Sequence, residues 1–369
     1  MSWQYEQPVH ILFGNGERRK LKNVLCGSKG LLITSPSFVK SGIAMQMQED
    51  AEGVITHIFA GVTPNPDVKE CRECLALLHR EHIDCIIALG GGSVIDLAKV
   101  VSVMAIHGDG IEGWMDQKQE VPTSHLPLIA LPTTAGTGSE VTCVAVISDH
   151  EKGYKIPLSS IGFYPDIALI DPELTYSVPR HMSAATGFDV LCHAIEAYWS
   201  RNHQPICDAL ALHAIRLVLD NLTLVCENGN HVEARERMAE ASIIAGLAFT
   251  RPKTTSSHAC SYPLTNILGI VHGEACALTI DAFLMFNHLH GCERVQQLIE
   301  KSGFSSVEAM ANHIGSLKKE LDLLCDLKSF SISEETLQSL VEGSLNSAMD
   351  NNPIEVKRED LEELYRRMV

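Results

Sequence analysis

Residues 84–99 read DCIIALGGGSVIDLAK, an apolar run that ends in three glycines and continues into a helical pattern. The first six residues have the length and apolarity of a strand that is buried on both faces of a parallel sheet. The glycines at 90–92 let the backbone approach a phosphate closely, and Ser93 suits the start of a helix whose free N–H groups attract anions. This stretch therefore predicts a strand, a ligand-binding turn and a helix, in that order.

Strand-like and helical patterns also occur on both sides of residues 84–99, so this stretch is part of a larger α/β domain. Apolar runs with the character of strands occur at residues 9–13, 30–34, 126–131 and 167–170. Helical periodicity covers residues 67–81 and 93–104. Because strands that alternate with helices form parallel sheets covered on both faces, we predict such a sheet in the first half of the chain.

From about Val178 onward the pattern changes to helices with almost no strand signals. Long helical patterns cover residues 183–199, 205–221, 233–249, 334–349 and 357–369. We therefore predict two domains, an α/β domain over residues 1–178 and an all-helical domain over residues 179–369. Ligands of open α/β sheets bind outside the carboxyl ends of the strands, so the residues that follow the strands are expected to face the helical half.

Composition and charge exclude several classes of protein. The 369 residues include 46 Asp and Glu against 29 Lys and Arg, a formal charge of −17, so the surface would repel the phosphate backbone of a nucleic acid. The 12 cysteines are too few for a disulfide scaffold, and neither a secretory signal nor an apolar run as long as a membrane span is evident. We therefore expect a cytoplasmic protein with reduced thiols that binds neither nucleic acid nor membrane.

A second loop rich in small and hydroxyl side chains follows the apolar run at 126–131. Residues 132–140 read PTTAGTGSE. Like the glycines at 90–92, this loop comes directly after a predicted strand, and the carboxyl ends of parallel strands meet at one edge of a sheet. The two loops together predict a phosphate-bearing ligand that lies across the strand ends.

One carboxylate and three histidines in the second half are candidates for a metal site. Asp189 and His193 are four residues apart in a helical pattern, which places both on one face of the helix. His258 and His272 follow in a stretch interrupted by a proline and a glycine. Carboxylate and imidazole ligands suit zinc or ferrous iron. In a chain with 17 histidines, spacing alone leaves ordinary core or surface histidines as an open alternative.

These motifs, in this order and spacing, resemble the iron-containing (group III) alcohol dehydrogenase family. The matching segments are GGGSVIDLAK at 90–99, PTTAGTGSE at 132–140, DPELTYSVPRHMSAATGFDVLCHAIEAY at 171–198, and His258 with HGE at 272–274. The resemblance implies the dehydroquinate synthase-like fold of that family, with an N-terminal α/β dinucleotide-binding domain and an all-α C-terminal domain. It also implies interconversion of an alcohol and a carbonyl compound, NAD(P)H and one divalent metal, iron(II) or zinc, as cofactors, and a homodimer.

The resemblance also implies roles for residues at matching positions. The metal ligands would be Asp189, His193, His258 and His272. The pyrophosphate and the nearby ribose would be held by Gly91, Gly92, Ser93 and Asp96. The cofactor cleft would be lined by Thr133, Thr134, Ser139 and Lys155.

Two positions depart from the pattern of many family members. Tyr262 stands where many have a second histidine that is given a proton-relay role. We expect Tyr262 to act at the reacting centre as a hydrogen-bond donor, because a phenol with a pKa of about 10 relays protons less readily near neutrality. After the second predicted strand, Thr34 is followed by Ser35 and Pro36 and not by the Asp of many NAD-preferring members. Without a carboxylate to repel a 2′-phosphate, we expect NADPH to be accepted, with Ser35 among the cofactor-binding residues.

Arg251 and Lys253 place two cations shortly before His258. With SYPLT at 261–265 and YWS at 198–200, this region looks most like the phosphonoacetaldehyde reductase (hydroxyethylphosphonate dehydrogenase) branch of the family. We expect Lys253, with Arg251, to hold the anionic tail of a small aldehyde, with phosphonoacetaldehyde as one candidate substrate. The open alternatives are ordinary surface roles for both cations, a generalist short-chain alcohol dehydrogenase, a dehydroquinate synthase-type lyase and a non-catalytic binding protein.

Overall fold

The computed structural model divides the chain into two compact units, an α/β unit and a helical unit. The residues that it describes are 3–25, 27–152 and 154–369. The α/β unit comprises residues 6–134 and 138–176, and the helical unit comprises residues 177–369 with 3–5 and 135–137. The two units have the predicted α/β and all-α classes, and the division at 176/177 lies two residues before the predicted boundary.

The α/β unit contains eight described strands. They are β1 (His10–Phe13), β2 (Gly30–Thr34), β3 (Ile55–Phe59), β4 (Cys85–Gly90), β5 (Leu128–Pro132), β6 (Val144–Asp149), β7 (Tyr154–Ser159) and β8 (Ile167–Ile170). Six of them form one parallel sheet in the order β1-β8-β5-β4-β2-β3, as the alternation of strands and helices predicts. The other two, β6 and β7, pair as an antiparallel hairpin outside this sheet.

The sequence patterns identify five of the six sheet strands, with ends within two residues of those in the structure. They miss β3, whose sequence ITHIF has a polar centre and lies half-buried at the edge of the sheet. They also miss the hairpin, in which β7 contains Pro157. Proline lacks the N–H group that a central strand needs, so its presence disfavours a strand assignment, but the two-stranded hairpin accommodates it.

Five described α-helices accompany the strands of the α/β unit. They are α1 (Pro36–Lys40), α2 (Ile43–Asp50), α3 (Val68–Arg80), α4 (Gly92–His107) and α5 (Ile111–Met115). The Asp67 side chain accepts a hydrogen bond from the Lys69 N–H group and caps α3. Cys71 and Cys74 lie buried on this helix as apolar core residues.

The carboxyl ends of the central strands β2, β4 and β5 lie side by side. Thr34 pairs with Leu89 across the first two, and Gly90 pairs with Pro132 across the last two. The chain turns directly from β4 into α4, and a Cβ atom on Gly90 would come within 2.4 Å of the Val94 side chain. Glycine is therefore required where α4 packs back over the end of its strand.

The helical unit contains ten described helices. They are α6 (Arg180–Trp199), α7 (Pro205–Glu227), α8 (Val232–Phe249), α9 (Ser256–Leu268), α10 (His272–Leu289), α11 (Glu293–Ser302), α12 (Val307–Glu320), α13 (Glu334–Ser344), α14 (Ser347–Asp350) and α15 (Arg358–Met368). The first of these, α6, is central: it packs against α7, α8 and α10, and it is buried almost throughout residues 183–199.

Two sequence expectations about these helices are wrong. The pattern at 334–349 predicts one helix, but the structure has two, because the Asn346 side chain accepts a hydrogen bond from the Ala348 N–H group and starts α14 afresh. The proline that interrupts the sequence pattern between His258 and His272 lies inside α9, which continues past Pro263. Gly269, with φ of +72°, ends this helix.

Among the described helices, α7 alone is long and apolar enough to cross a membrane, judged by length and composition. It packs against α6 and α8, and its residues Ala211, Ile215 and Val218 belong to the apolar core of the helical unit. A helix packed in this way passes the same test, so α7 is weak evidence for a membrane segment.

Candidate active site

The four predicted metal ligands come from three helices of the helical unit. Asp189 and His193 lie one turn apart on α6, His258 lies in the first turn of α9, and His272 is the first residue of α10. The Asp189 Oδ1 atom is 3.4 Å from His258 Nε2, 3.7 Å from His272 Nε2 and 3.8 Å from His193 Nδ1. The structure thus brings all four side chains around one carboxylate oxygen.

The donor atoms fit a divalent metal. Asp189 Oδ1, His193 Nδ1 and His258 Nε2 are buried and make no hydrogen bond with any described residue. Buried polar atoms without partners are destabilising, and a bound cation would satisfy them. With metal–ligand bonds of about 2.0–2.3 Å, neighbouring donors of a tetrahedral site stand roughly 3.3–3.8 Å apart, which agrees with the spacing around Asp189.

Burial and mutual charge keep two of these groups in the form that a metal binds. Burial lowers the pKa of His193 to about 3, so its imidazole is neutral at physiological pH, and the ring stacks on Phe249 with 4.2 Å between centroids. Burial alone would raise the pKa of Asp189, but the neighbouring histidines outweigh it and hold that pKa below its usual value. Neutral imidazole and ionised carboxylate are the ligand forms.

Glu196, which the sequence analysis did not single out, orients one of these histidines. Its carboxylate is fully buried and accepts a hydrogen bond from His258 Nδ1 at 2.5 Å. It also accepts backbone hydrogen bonds from Thr255 and Ser257 at the start of α9. With Nδ1 engaged, His258 Nε2 is free to face Asp189, as in the carboxylate–histidine pairs that support metal ligands. The i, i+3 spacing from His193 is too common to have revealed this contact.

Cys276 is a second residue that the sequence analysis missed. Its Sγ atom lies 3.9 Å from His272 Nε2. The donor atoms of Asp189, His258, His272 and Cys276 all lie within 4.8 Å of one another. His193 does not belong to that group of four. The i, i+4 spacing between His272 and Cys276 is the signal that singled out Asp189 and His193, and it would have found this residue too.

Tyr262 and Lys253, the residues expected near the substrate, have different surroundings. Tyr262 is half-buried, and its ring centre is 6.5 Å from that of His272. Burial raises the pKa of Tyr262 above its usual value, so the phenol stays protonated and can donate a hydrogen bond. Lys253 is exposed in the segment between α8 and α9, with φ of +67°, and Arg251 is exposed in the same segment.

Most predicted cofactor-binding residues follow the aligned ends of β2, β4 and β5. Ser35 precedes α1, Gly91 precedes α4, and Gly92 and Ser93 are the first two residues of α4. Thr133 and Thr134 follow β5, and the Thr134 Oγ1 atom lies 3.2 Å from the position of a Cβ on Gly91. The structure therefore brings these residues to one edge of the sheet, where α/β folds bind nucleotides.

The other three predicted cofactor residues make hydrogen bonds within the α/β unit. Asp96 accepts from the Ser139 hydroxyl at 2.6 Å and from the Val146 N–H group at 2.9 Å. Buried Lys99 donates to the same hydroxyl at 2.8 Å. Asp96 and Ser139 thus link α4 to the residues around β6. Lys155, on β7, donates to the Asn65 side chain at 2.7 Å.

Glu140, at the end of the PTTAGTGSE loop, predicts a dependence of stability on pH. Burial raises the pKa of Glu140 to about 7, and Oε1 has no hydrogen-bond partner among the described residues. A carboxyl whose pKa is raised in the folded state loses stabilisation as pH rises from its unfolded pKa through the folded one. Wild type should therefore lose stability relative to Glu140→Gln as pH rises. The free energy of unfolding of Glu140→Gln minus that of wild type should increase by about 2–3 kcal/mol between pH 5 and pH 8.

Urea unfolding of both proteins at the two pH values measures this change, with Glu120→Gln, at an exposed glutamate of the same unit, as the control. An equal difference between Glu140→Gln and wild type at both pH values would contradict the prediction.

Gly273 sets the approach of α10 to α6 beside the metal ligands. A Cβ atom there would lie 2.1 Å from the Ala185 carbonyl oxygen and 3.0 Å from Asp189 Cβ. Gly273→Ala should therefore push His272 away from Asp189, lower the free energy of unfolding by about 1–3 kcal/mol and weaken metal binding. Gly315→Ala is the control, because a Cβ there meets only the Asp281 side chain at 3.5 Å. Unchanged urea unfolding and metal content in Gly273→Ala would refute this.

Comparison with known proteins gives one family along almost the whole chain. Residues 8–172 match the family model described as iron-containing alcohol dehydrogenase. Residues 183–369 match the model for the C-terminal part of the Fe-containing alcohol dehydrogenase family.

Individual relatives agree with these matches. The crystal structure of sulfoacetaldehyde reductase from Bifidobacterium kashiwanohense, in complex with NAD+, is 44% identical, has a TM-score of 0.97 and covers 100% of this chain and 99% of its own. Long-chain-alcohol dehydrogenase 1 from Geobacillus thermodenitrificans is 33% identical over 91% of this chain and 88% of its own length. 1,3-Propanediol dehydrogenase from Citrobacter freundii is 31% identical over 95% of this chain and 93% of its own.

These matches confirm the resemblance that the motifs suggest, the fold and the class of enzyme. They also confirm the expected cofactors, a nicotinamide dinucleotide and a divalent metal, and the cluster of Asp189, His258, His272 and Cys276 agrees with the second. The individual ligand and cofactor contacts remain predictions. With both halves of the chain matched to one family of oxidoreductases, neither a lyase nor a non-catalytic protein accounts for it. The chain belongs to the iron-containing alcohol dehydrogenase family.

Proposed function

We propose that this enzyme reduces a small aldehyde with an anionic tetrahedral tail, a sulfonate or a phosphonate, to the primary alcohol. The relative that supports this proposal is the sulfoacetaldehyde reductase that is 44% identical over the whole chain. Phosphonoacetaldehyde, the candidate from the sequence, has a phosphonate in place of the sulfonate on the same two-carbon aldehyde. One binding site for an anionic tail would serve either substrate.

The observation that carries the proposal is that Lys253 is an exposed cation without an ion pair to any described residue and has an unfavourable backbone conformation. The chain has a formal charge of −17, which disfavours an anionic substrate unless a local cation offsets it. The Lys253 side chain is exposed and makes no ion pair within residues 3–25, 27–152 and 154–369. Its backbone has φ of +67°, a conformation that is unfavourable for lysine, and its N–H group donates to the Phe249 carbonyl. Strained residues of this kind cluster at functional sites.

Phe249 connects this segment with the metal ligands. The Phe249 ring stacks on His193, a predicted metal ligand, and the Phe249 carbonyl accepts the hydrogen bond from the Lys253 N–H group. Phe249 therefore contacts both Lys253 and a predicted ligand. When bound there, a divalent metal supplies Lewis acidity that polarises a carbonyl oxygen. The chain contributes Asp189, His193, His258 and His272 as donors. Burial excludes water from the first three, and Tyr262, whose ring centre lies 6.5 Å from that of His272, is a hydrogen-bond donor.

Steady-state reduction of sulfoacetaldehyde, phosphonoacetaldehyde and propionaldehyde tests the proposal. A charged hydrogen bond to the tail contributes about 1.5–3 kcal/mol, so kcat/KM for the anionic aldehydes should exceed that for propionaldehyde by about 10–100-fold. Assays with NADPH and NADH also test the expectation from Ser35 that NADPH is accepted. Equal or better turnover of propionaldehyde would favour the generalist short-chain alcohol dehydrogenase instead.

Lys253→Ala should raise KM for the anionic aldehydes by about 10-fold or more and leave propionaldehyde reduction unchanged. Lys253→Arg keeps the charge and should restore most of the affinity. Lys319→Ala, at an exposed lysine on α12, controls for the loss of one positive charge. An unchanged KM for both anionic aldehydes in Lys253→Ala would exclude this anchor.

A further inference from the structure

Cys276 lies among the donor atoms of the metal site, although the family resemblance assigns it no role there. We propose that the Cys276 thiolate is a ligand of the metal, so that the centre of this chain binds through sulfur as well as oxygen and nitrogen. The proposal concerns the metal alone and is independent of which aldehyde the enzyme reduces.

The distances at the site support sulfur ligation. Cys276 Sγ lies 3.9 Å from His272 Nε2, just above the roughly 3.3–3.8 Å that separates donors around one tetrahedral ion. The same sulfur lies within 4.8 Å of the donor atoms of Asp189 and His258. Donor atoms from three helices are thus grouped together, and His193 Nδ1, which lies outside this group of four, is 3.8 Å from the same Asp189 Oδ1 atom.

The surroundings of Cys276 are those of a built site. Its side chain has no exposed surface, and it lies one turn after His272 on α10, so the helix itself directs both side chains to the same face. The Asp189 Oδ1 and His258 Nε2 atoms are buried and have no hydrogen-bond partner among the described residues. A cation bound between them and the sulfur would satisfy all these atoms at once.

A sulfur ligand changes which metal the site prefers. Divalent zinc generally binds more tightly than ferrous iron to nitrogen and oxygen ligands, and a soft thiolate ligand increases this preference for zinc. We therefore expect the wild-type protein to bind zinc more tightly than ferrous iron. Cys276→Ser, which removes the sulfur, should reduce this difference between the affinities for zinc and for ferrous iron.

X-ray absorption spectroscopy of the zinc-loaded wild-type protein tests the proposal without any substitution. The account predicts one sulfur neighbour at about 2.3 Å beside nitrogen and oxygen neighbours at about 2.0–2.2 Å. A spectrum that is fitted by nitrogen and oxygen alone would overturn it.

Two variants loaded with cobalt(II) give an independent answer. Wild type and Cys260→Ser should show the near-ultraviolet charge-transfer absorption of a cobalt–thiolate bond, and Cys276→Ser should lack it. Cys260 is an equally buried cysteine, on α9 two residues after His258, and it lies outside the donor group. The zinc dissociation constant should rise in Cys276→Ser by more than the roughly 10–100-fold typical of a change outside the ligand shell. A Cys276→Ser protein with the wild-type cobalt spectrum and zinc affinity would refute the proposal.

Discussion

Replacing Asp189 with alanine is expected to empty the metal site and to lower kcat/KM for aldehyde reduction by about 10³-fold or more. Its Oδ1 atom lies within 3.8 Å of a nitrogen atom from each of His193, His258 and His272. Without the shared carboxylate, the imidazoles lose both a fellow ligand and the negative charge that offsets a divalent cation. Metal content per chain and steady-state reduction rates of the purified variant measure the effect.

Two further variants make this result specific. Asp189→Asn keeps the shape of the side chain without its charge, so it separates loss of metal from loss of packing. Asp220→Ala, at an exposed aspartate on α7 that pairs with Arg216, should keep wild-type metal content and rate. If Asp189→Ala retained one metal per chain and the wild-type rate, the assignment of this ligand would be wrong.

The second large effect is expected at Glu196. Its carboxylate fixes the ring of His258 through Nδ1 and accepts the backbone N–H groups of Thr255 and Ser257. Glu196→Gln is expected to weaken metal binding by about 10–100-fold, because an amide holds the histidine less firmly and reduces its basicity as a ligand. Glu196→Ala leaves buried donors unpaired and should lower the free energy of unfolding by roughly 3–5 kcal/mol.

Competition with a chelator of known affinity measures metal binding in Glu196→Gln, and urea unfolding of the metal-free protein measures the stability of Glu196→Ala. Glu233→Gln, at an exposed glutamate in the first turn of α8, is the control for both experiments. Metal affinity in Glu196→Gln equal to that of wild type would show that the contact with His258 does not support the site.

The sheet was predictable from the sequence where its strands are fully buried, because a fully buried strand consists almost entirely of apolar residues. All six residues of β4 are buried, so the strand reads as an uninterrupted apolar run. At the edge of the sheet the half-buried β3 alternates imperfectly, and its pattern does not distinguish it from a loop. The long helical pattern at 334–349 gave no sign of its division, because the interruption depends on one hydrogen bond from the Asn346 side chain.

The candidate site was predictable where its residues share a helix or match a family motif. Helical spacing places Asp189 and His193 on one face, His258 and His272 are candidates as later histidines, and the resemblance implies the ligand role for all four. Glu196 was not predictable in this way, because its role depends on a contact with a residue 62 positions later in the chain. Only the packing of α9 beside α6 creates that contact, and a single sequence does not record it.

The most direct test of the central claim is titration of metal-stripped protein with ferrous iron or zinc under anaerobic conditions, with reduction of sulfoacetaldehyde as the readout. The account predicts that the stripped protein has almost no activity, that activity rises in proportion to added metal and that it reaches a plateau at one metal per chain. Full activity in protein shown to contain no metal would contradict the account. A plateau that requires two or more metals per chain would show that the site around Asp189 is not the whole centre.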